Sequence, residues 1–153
     1  MVNYHCHYSN GLSCGLPMAA VCACPLSRRD RIVSHSENAS ATYVFIYQYK
    51  NWTEAQSYCR EHHTDLISIR NETENQKIQY LLRNYYYYYY HNVWIGLYKT
   101  RSWSDQSNTS FTYWSTWQPD TAGSCTVVSF RDSGKWMDEN CNYAFPFFCH
   151  SGE

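Results

Sequence analysis

The eight cysteines carry the most definite chemistry in this chain of 153 residues, because thiols cross-link in an oxidising compartment. Their even number and four Asn-x-Ser/Thr acceptor sequences for N-glycosylation both favour a compartment outside the cytosol. The cysteines are Cys6, Cys14, Cys22, Cys24, Cys59, Cys125, Cys141 and Cys149, and the candidate glycosylation sites are Asn38, Asn51, Asn71 and Asn108.

Residues 1–41 are expected to form a leader-like or disordered segment. Residues 15–26 have the apolar character of a signal peptide, yet Arg28 and Arg29 follow this stretch and no Lys or Arg precedes it. A damaged signal, a fragment of a reverse-oriented anchor and coding noise are all compatible with that order. The cluster from His5 to Cys24 has zinc-capable atoms but lacks paired Cys-x2-Cys and His-x3-His spacing, so a Cys-bearing tail is the simpler interpretation.

Charge and motif content argue against nucleic-acid binding and against catalysis. Twelve Lys and Arg residues face thirteen Asp and Glu residues, so no global field attracts a polyanion. We find no paired general acid and base, nucleophile elbow or phosphate-binding loop, and His62 and His63 lack a Ser or Cys partner in a triad-like context. The length predicts one domain, and that domain is expected to be non-enzymatic.

Two helices are predicted from capping residues and apolar spacing. Asn51 or Thr53 can cap a helix over residues 51–63, and a second cap at Asn71 begins a helix that ends near Asn84. One face of the first helix carries Trp52, Ala55, Cys59 and His62, with Cys59 pointing toward the core and His62 expected at the helix surface. An apolar stripe on the second helix holds Ile78, Leu81 and Leu82.

The second half of the chain changes to aromatic and β-branched runs that predict strands. Helices followed by strands indicate an α+β domain, and the long connection from Tyr98 to Ser124 is where binding is expected. The run Tyr85–Tyr90 is interpreted as a surface insertion, with a sugar-stacking platform as the alternative. Predicted strands are Asp65–Ile69, Val93–Leu97, Cys125–Phe130, Lys135–Met137 and Phe145–Cys149, with a hairpin turn at Asp132–Gly134.

Five short motifs in a fixed order resemble the C-type lectin-like domain over about Thr42 to His150. The match consists of Asn51–Gln56 leading to Cys59, Trp94–Leu97, Gln118–Asp120, Gly134–Asp138, and the cysteines Cys125, Cys141 and Cys149. The resemblance implies an α+β fold with two helices flanking short antiparallel sheets and a long, mostly irregular loop region. It also implies disulfides Cys59–Cys149 and Cys125–Cys141, the second of them at the base of the binding loop.

The resemblance further implies a binding loop at Gln118–Pro119–Asp120. In lectins of this family the oxygens on either side of the proline bind Ca²⁺ and adjacent sugar hydroxyls, and the Gln-Pro-Asp order is similar to the galactose-type version. Asp138 is the third predicted ligand. Pro119, Trp117 and Trp136 are expected to support the loop, the two tryptophans by packing at its base.

Three departures from the family pattern weaken this implication, and the lost ligands predict weak or absent calcium binding. Met137 stands where the family has Asn, and a thioether is a poor ligand for a hard cation. Residues 121–124 lack the family's acidic ligand and its sugar-stacking Trp.

The leading hypothesis is a carbohydrate-binding module, weakly calcium-dependent and galactose-type, acting on glycans or a glycoprotein. The alternative is a calcium-independent protein-binding module. Either would be extracellular, secreted or part of a larger cell-surface receptor.

Overall fold

A computed structural model of the chain describes residues 31–35, 42–85, 92–99, 102–121 and 123–152. Within those ranges the fold is α+β, with two helices and one mixed sheet. The elements are β1 (Arg31–His35), β2 (Thr42–Lys50), α1 (Trp52–His62), β3 (Asp65–Leu66), α2 (Glu72–Tyr85), β4 (Asn92–Tyr98), β5 (Ser102–Trp103), β6 (Cys125–Ser129), β7 (Lys135–Glu139) and β8 (Phe145–Ser151). Neither helix is long and apolar enough to cross a membrane.

The sheet is built around the C-terminal strand. Its order is β1-β2-β8-β4-β6-β7, with β3 added to β8 and β5 added to β4. Every pairing is antiparallel except that of β4 with β8, where Trp94 lies opposite Phe147. β7 is therefore at one end of the sheet order, and the connection from β5 to β6 lies beside it.

Both predicted helices form, and both begin at the predicted Asn caps. The Asn51 Oδ1 atom accepts from the Glu54 amide at 2.9 Å, and the Glu54 carboxylate accepts from the Asn51 amide at 3.1 Å, which completes a capping box. At α2 the Asn71 Oδ1 atom accepts from the Glu74 amide at 2.9 Å. The inner face of α1 buries Trp52, Ala55 and Cys59, and His62, at the end of the same stripe, is exposed at the helix surface as expected.

The prediction that both helices precede the strands is wrong, because β1 and β2 come before α1. Residues Tyr43–Ile46 of β2 are buried in an unbroken run, so the strand lacks the alternation of a half-exposed strand. β1 pairs with β2 and lies in the sheet, although it falls inside the segment 1–41 that was expected to be leader-like or disordered. The other residues of that segment, including its four cysteines, and residues 86–90 of the Tyr run lie outside the described residues.

Successive residues of β2 contribute to two different core clusters, which therefore lie on opposite faces of the sheet. Phe45 belongs to the cluster that contains Trp136, and Val44 belongs to the cluster that contains Trp94. Two disulfides fasten this framework and confirm both implied pairings. Cys59 of α1 is bonded to Cys149 of β8, and Cys125 of β6 is bonded to Cys141, with Cα–Cα distances of 5.4 and 5.2 Å.

Candidate functional site

The candidate loop runs alongside β7 and is attached to its backbone. Trp114 forms a bridge with Trp136, the Ser115 amide donates to the Trp136 carbonyl at 2.9 Å, and the Trp136 amide donates to the Tyr113 carbonyl at 2.8 Å. The Ser115 hydroxyl also donates to the Asp132 carboxylate in the β6–β7 turn. The segment Tyr113–Ser115 that leads into the loop therefore extends the sheet beside β7. Its contacts with that strand fix its position.

Trp136 is the side chain that couples this loop to the rest of the core. It is fully buried, and its indole Nε1 donates to Asn75 Oδ1 of α2 at 2.9 Å. Its ring packs edge-on against three aromatic rings, at centroid distances of 5.6 to 5.8 Å. Those rings belong to Trp103, Phe111 and Trp114. The expectation that Trp136 supports the loop agrees with this packing.

A tight turn follows the attached segment and presents the predicted binding residues. The Gln118 amide donates to the Ser115 carbonyl at 3.1 Å, which closes a four-residue turn with Trp117 at its third position. Trp117 has φ of 68°, and the Gln118–Pro119 peptide bond is cis. Asp120 is exposed, and Gln118 is partly exposed. The side chains on both sides of Pro119 are therefore accessible to a ligand.

The structure brings the three predicted ligand residues together through their own hydrogen bonds. Gln118 Nε2 donates to Asp120 Oδ2 at 3.0 Å, and the Asp138 amide donates to Gln118 Oε1 at 2.9 Å. The Asp120 amide donates to Asp138 Oδ1 at 2.8 Å. The turn and β7 are thus joined by reciprocal contacts that hold Gln118 and Asp120 side by side.

Asp138 is a buried organiser of the loop. It is only 3% exposed, and its second oxygen accepts from the Gly123 amide at 3.2 Å. A Cβ atom at position 123 would overlap the backbone of Glu139 and Asn140, so the close approach of the two segments requires glycine. Gly123 was not among the predicted site residues; a lone glycine in a short loop before a cysteine is the signal that could have found it.

Negative charge accumulates next to this site. The pKa of Glu139 is raised from its ordinary value, first by burial and then by repulsion from Asp138 and Asp120. Its carboxylate accepts one hydrogen bond, from Asn92 Nδ2 at 3.3 Å. Asp138 and Asp120 are thus close enough to Glu139 to act on its charge, which concentrates negative charge on this face of the loop in a chain whose overall charge is near zero.

The donor atoms suit calcium in kind but do not form a complete site. Ca²⁺ prefers about six to eight oxygen ligands, whereas both Asp138 oxygens and the Gln118 oxygen already accept backbone N–H bonds. Met137 packs against the cluster that contains Trp94. Among the described residues no group of three or more His, Cys, Asp or Glu side chains is placed to hold a metal ion. A full calcium site does not fit these residues.

Trp117 does not pack at the base of the loop, and the expectation that it does is wrong. Its side chain is 90% exposed, whereas Trp94 and Trp136 are fully buried and Trp114 is partly buried against the core. A left-handed φ at a bulky residue costs on the order of 1–3 kcal/mol unless surrounding contacts offset it. Trp117 therefore combines an unfavourable backbone conformation with almost no burial.

The candidate glycosylation sites differ in their surroundings. Asn51 and Asn71 use their side-chain oxygens as helix caps, as described above. Asn108 is exposed in the connection between β5 and β6. Asn38 lies outside the described residues. Asn108 is thus the candidate whose modification would disturb the described helix caps least.

A disulfide-fastened α+β scaffold that presents polar side chains on an attached loop has the architecture of a binding module. Comparison with known proteins identifies the family to which this module belongs. A family model described as the lectin C-type domain matches residues 48–151, and the chain belongs to the C-type lectin family. Its fold is that of a carbohydrate-recognition domain of that family, a non-enzymatic binding module.

Relatives and solved structures agree with that assignment. The chain is similar to a lectin of Pleurodeles waltl, with 35% identity over 121 residues that cover 70% of this chain and 67% of the relative. It is also similar to human lithostathine-1-beta, with 30% identity over 119 residues, 72% of this chain and 71% of the relative. Mouse C-type mannose receptor 2 is 30% identical over 136 residues, which are 82% of this chain and 9% of the receptor. The structure of human lithostathine superposes with a TM-score of 0.71 at 25% identity, covering 79% of this chain and 97% of that one.

Proposed function

We propose that the domain binds a galactose-type sugar at Gln118, Asp120 and Asp138, with only weak dependence on calcium. The observation that carries this proposal is the exposed pair of Gln118 and Asp120, held side by side by a loop that the buried Asp138 fixes in place. Binding residues on a loop positioned by a rigid scaffold are the usual arrangement in recognition domains.

The chemistry of the pair suits two neighbouring hydroxyl groups. A carboxylate only accepts hydrogen bonds, whereas an amide both donates and accepts, and each sugar hydroxyl can do either. Gln118 and Asp120 therefore offer different patterns to the two hydroxyls of a vicinal pair. Exchanging the amide and the carboxylate should exchange which hydroxyl geometry fits.

Calcium, when bound, would supply a positive charge that orients the hydroxyls and neutralises the local carboxylates. The side-chain oxygens of Gln118, Asp120 and Asp138 would hold it, together with the backbone carbonyl oxygen of Asp138. Because three of these side-chain oxygens already accept backbone N–H bonds, metal binding must compete with the hydrogen bonds that shape the loop. We therefore expect an affinity for calcium too weak to control sugar binding.

The test is retention on immobilised galactose, with calcium and with a chelator, and elution by free galactose. The matched variant is Gln118→Glu with Asp120→Asn, which keeps the net charge and still allows a hydrogen bond between the two side chains. The unmodified chain should be retained on galactose, and the double variant should lose galactose and gain mannose. If neither protein is retained by either sugar, or if the chelator abolishes retention completely, the proposal is wrong.

The second candidate is a calcium-independent protein-binding module on the same fold. It is favoured by one observation: the Asp138 carboxylate is satisfied by two backbone N–H groups and needs no metal to be stable. Binding to a protein whose glycans have been enzymatically removed, lost on substitution of Asp120 by Ala, would support this candidate. Loss of binding on deglycosylation would support the lectin.

We also propose that the protein acts outside the cell and that its ligand is a glycan or a glycoprotein. Two disulfides within the described domain and an exposed acceptor sequence at Asn108 support an oxidising compartment. Extracellular expression followed by glycosidase treatment tests this proposal, since a shift in mass shows that Asn residues carry glycans.

A further inference from the structure

Trp117 is an unusual residue for the backbone position that it occupies. It is the third residue of the turn closed by Ser115 and Gln118, and a left-handed φ at that position favours glycine or asparagine. Among the described non-glycine residues with a left-handed φ, the others are polar: Lys99, Gln106, Thr121 and Ser133. Trp117 is the apolar exception, so neither turn chemistry nor hydrophobicity explains its presence.

Packing does not explain the presence of a tryptophan ring at position 117 either. The side chain is 90% exposed, and the described part of the chain has no other large apolar residue so exposed; the next is Tyr80 at 66%. A single exposed aromatic residue is ordinary. One that combines exposure with a disfavoured backbone conformation gains nothing from the fold, and strain of that kind concentrates at ligand-binding positions.

The place of Trp117 in the chain, directly before the polar site, indicates what its ring contacts. Trp117 immediately precedes Gln118, whose side chain hydrogen-bonds Asp120. A pyranose of the galactose class has hydroxyl groups at its edge and one face composed of C–H groups. Such a ligand needs a polar pair for its edge and a flat apolar surface for its face, and indole combines a large apolar area with few rotatable bonds.

We propose that Trp117 is the stacking platform for the apolar face of the sugar that Gln118 and Asp120 hold by its hydroxyls. This inference rests on the proposed sugar-binding function and adds a separate residue with a separate role. The flat ring contributes affinity for pyranoses, while the polar pair distinguishes between them. The ring is exposed, and the turn that carries it is closed by the Ser115–Gln118 hydrogen bond and attached to β7 through Ser115.

The experiment uses the full disulfide-bonded chain labelled with 5-fluorotryptophan and titrated with methyl β-galactoside. The fluorine resonance of Trp117, assigned from the spectrum of Trp117→Phe, should move on titration, while those of the buried Trp94 and Trp136 should not. Trp117→Gly, which removes the ring and accepts the left-handed φ, should bind about tenfold more weakly, and Trp117→Phe should bind with intermediate affinity. Neither variant should change the preference between galactose and mannose.

The control variant is Tyr80→Ala, which removes an exposed aromatic ring from α2 and should leave the affinity unchanged. Equal affinity of Trp117→Gly and the unmodified chain overturns the stacking role while leaving sugar binding at Gln118 and Asp120 intact. A changed sugar preference in Trp117→Gly also overturns the stacking role, because the ring would then distinguish sugars by their hydroxyl groups. If the unmodified chain binds no galactoside, the proposed function and this inference both fail.

Discussion

Trp136 lies in β7 and Trp117 in the loop attached to that strand, and the two residues have opposite environments. Trp136 is fully buried among aromatic rings, donates its indole N–H to Asn75 and lies in a regular strand. Trp117 is 90% exposed and has a left-handed φ. One tryptophan obtains all of its stabilisation from the fold, and the other obtains almost none.

The contrast shows how stability and recognition are divided in this domain. The sheet and the Trp136 cluster fix where the loop runs, and the loop itself carries side chains that the core does not need. Conformations that are unfavourable in isolation persist only where the surrounding structure determines them. Here the determining contacts are those of Ser115 and Asp138, so the two regions should respond differently to the same substitution.

Trp136→Ala should have the largest effect on stability. Removing a fully buried Trp leaves a large cavity and an unpaired Asn75 oxygen, and we expect a loss of about 3–5 kcal/mol in the free energy of unfolding. Urea denaturation followed by circular dichroism measures this loss. Trp117→Ala is the matched control and should change the free energy by less than about 1 kcal/mol. Similar losses for both variants would show that the division between the two regions is wrong.

The pair Cys125→Ser and Cys141→Ser tests the link between the two regions. The disulfide closes a loop with a sequence separation of 16, for which chain-entropy estimates give a loss of about 3 kcal/mol on removal. The local signature should be faster hydrogen exchange at the Asp120 and Gly123 amides, which donate to Asp138. Unchanged exchange at these two amides, with the global loss present, would mean that the disulfide does not hold the loop.

The same contrast explains which features could be predicted from the sequence. Asn51 with Glu54 and the apolar spacing of α1 are local signals, and they were enough to predict that helix and its cap. β2 was missed because residues Tyr43–Ile46 are buried on both faces, and a short continuous apolar run does not identify a strand by its period. Its pairing with β8 is a contact between distant segments that no local pattern encodes.

The candidate site was predicted only in part, for a related reason. Gln118, Asp120 and Asp138 form recognisable motifs, and the structure brings them together. The exposure of Trp117 was not predicted, because tryptophan is usually buried. Gly123 was overlooked because its role depends on the passage of the β7 backbone beside it, which is a property of the tertiary fold.

Trp117→Gly should raise stability modestly. Glycine adopts a left-handed φ without strain, and little apolar burial is lost with the ring, so after the entropy cost of glycine we expect a gain of about 1 kcal/mol. Thermal unfolding measures the gain. Trp117→Ala keeps the Cβ atom and should show no such increase, which isolates backbone strain from loss of the ring. A clear loss of stability in Trp117→Gly would show that the ring packs against the protein after all.

Glu139→Gln should have the smallest effect, and its sign depends on pH. Burial and the neighbouring Asp138 and Asp120 raise the pKa of Glu139 in the folded state, so its ionised form disfavours folding at neutral pH. Glutamine keeps an acceptor for Asn92 and removes the charge, and should therefore increase stability at pH 7 by less than about 1 kcal/mol. This advantage should shrink as the pH falls through the raised pKa. It should vanish below about pH 4, where the glutamate is protonated in the folded and the unfolded state.

Urea denaturation at pH 7 and below about pH 4 measures the difference in the free energy of unfolding, and Glu61→Gln on α1 controls for removal of an exposed carboxylate. An advantage for Glu139→Gln that is equal at both pH values would contradict the effect of burial and of Asp138 and Asp120 on the Glu139 charge, and with it the concentration of negative charge on this face of the loop.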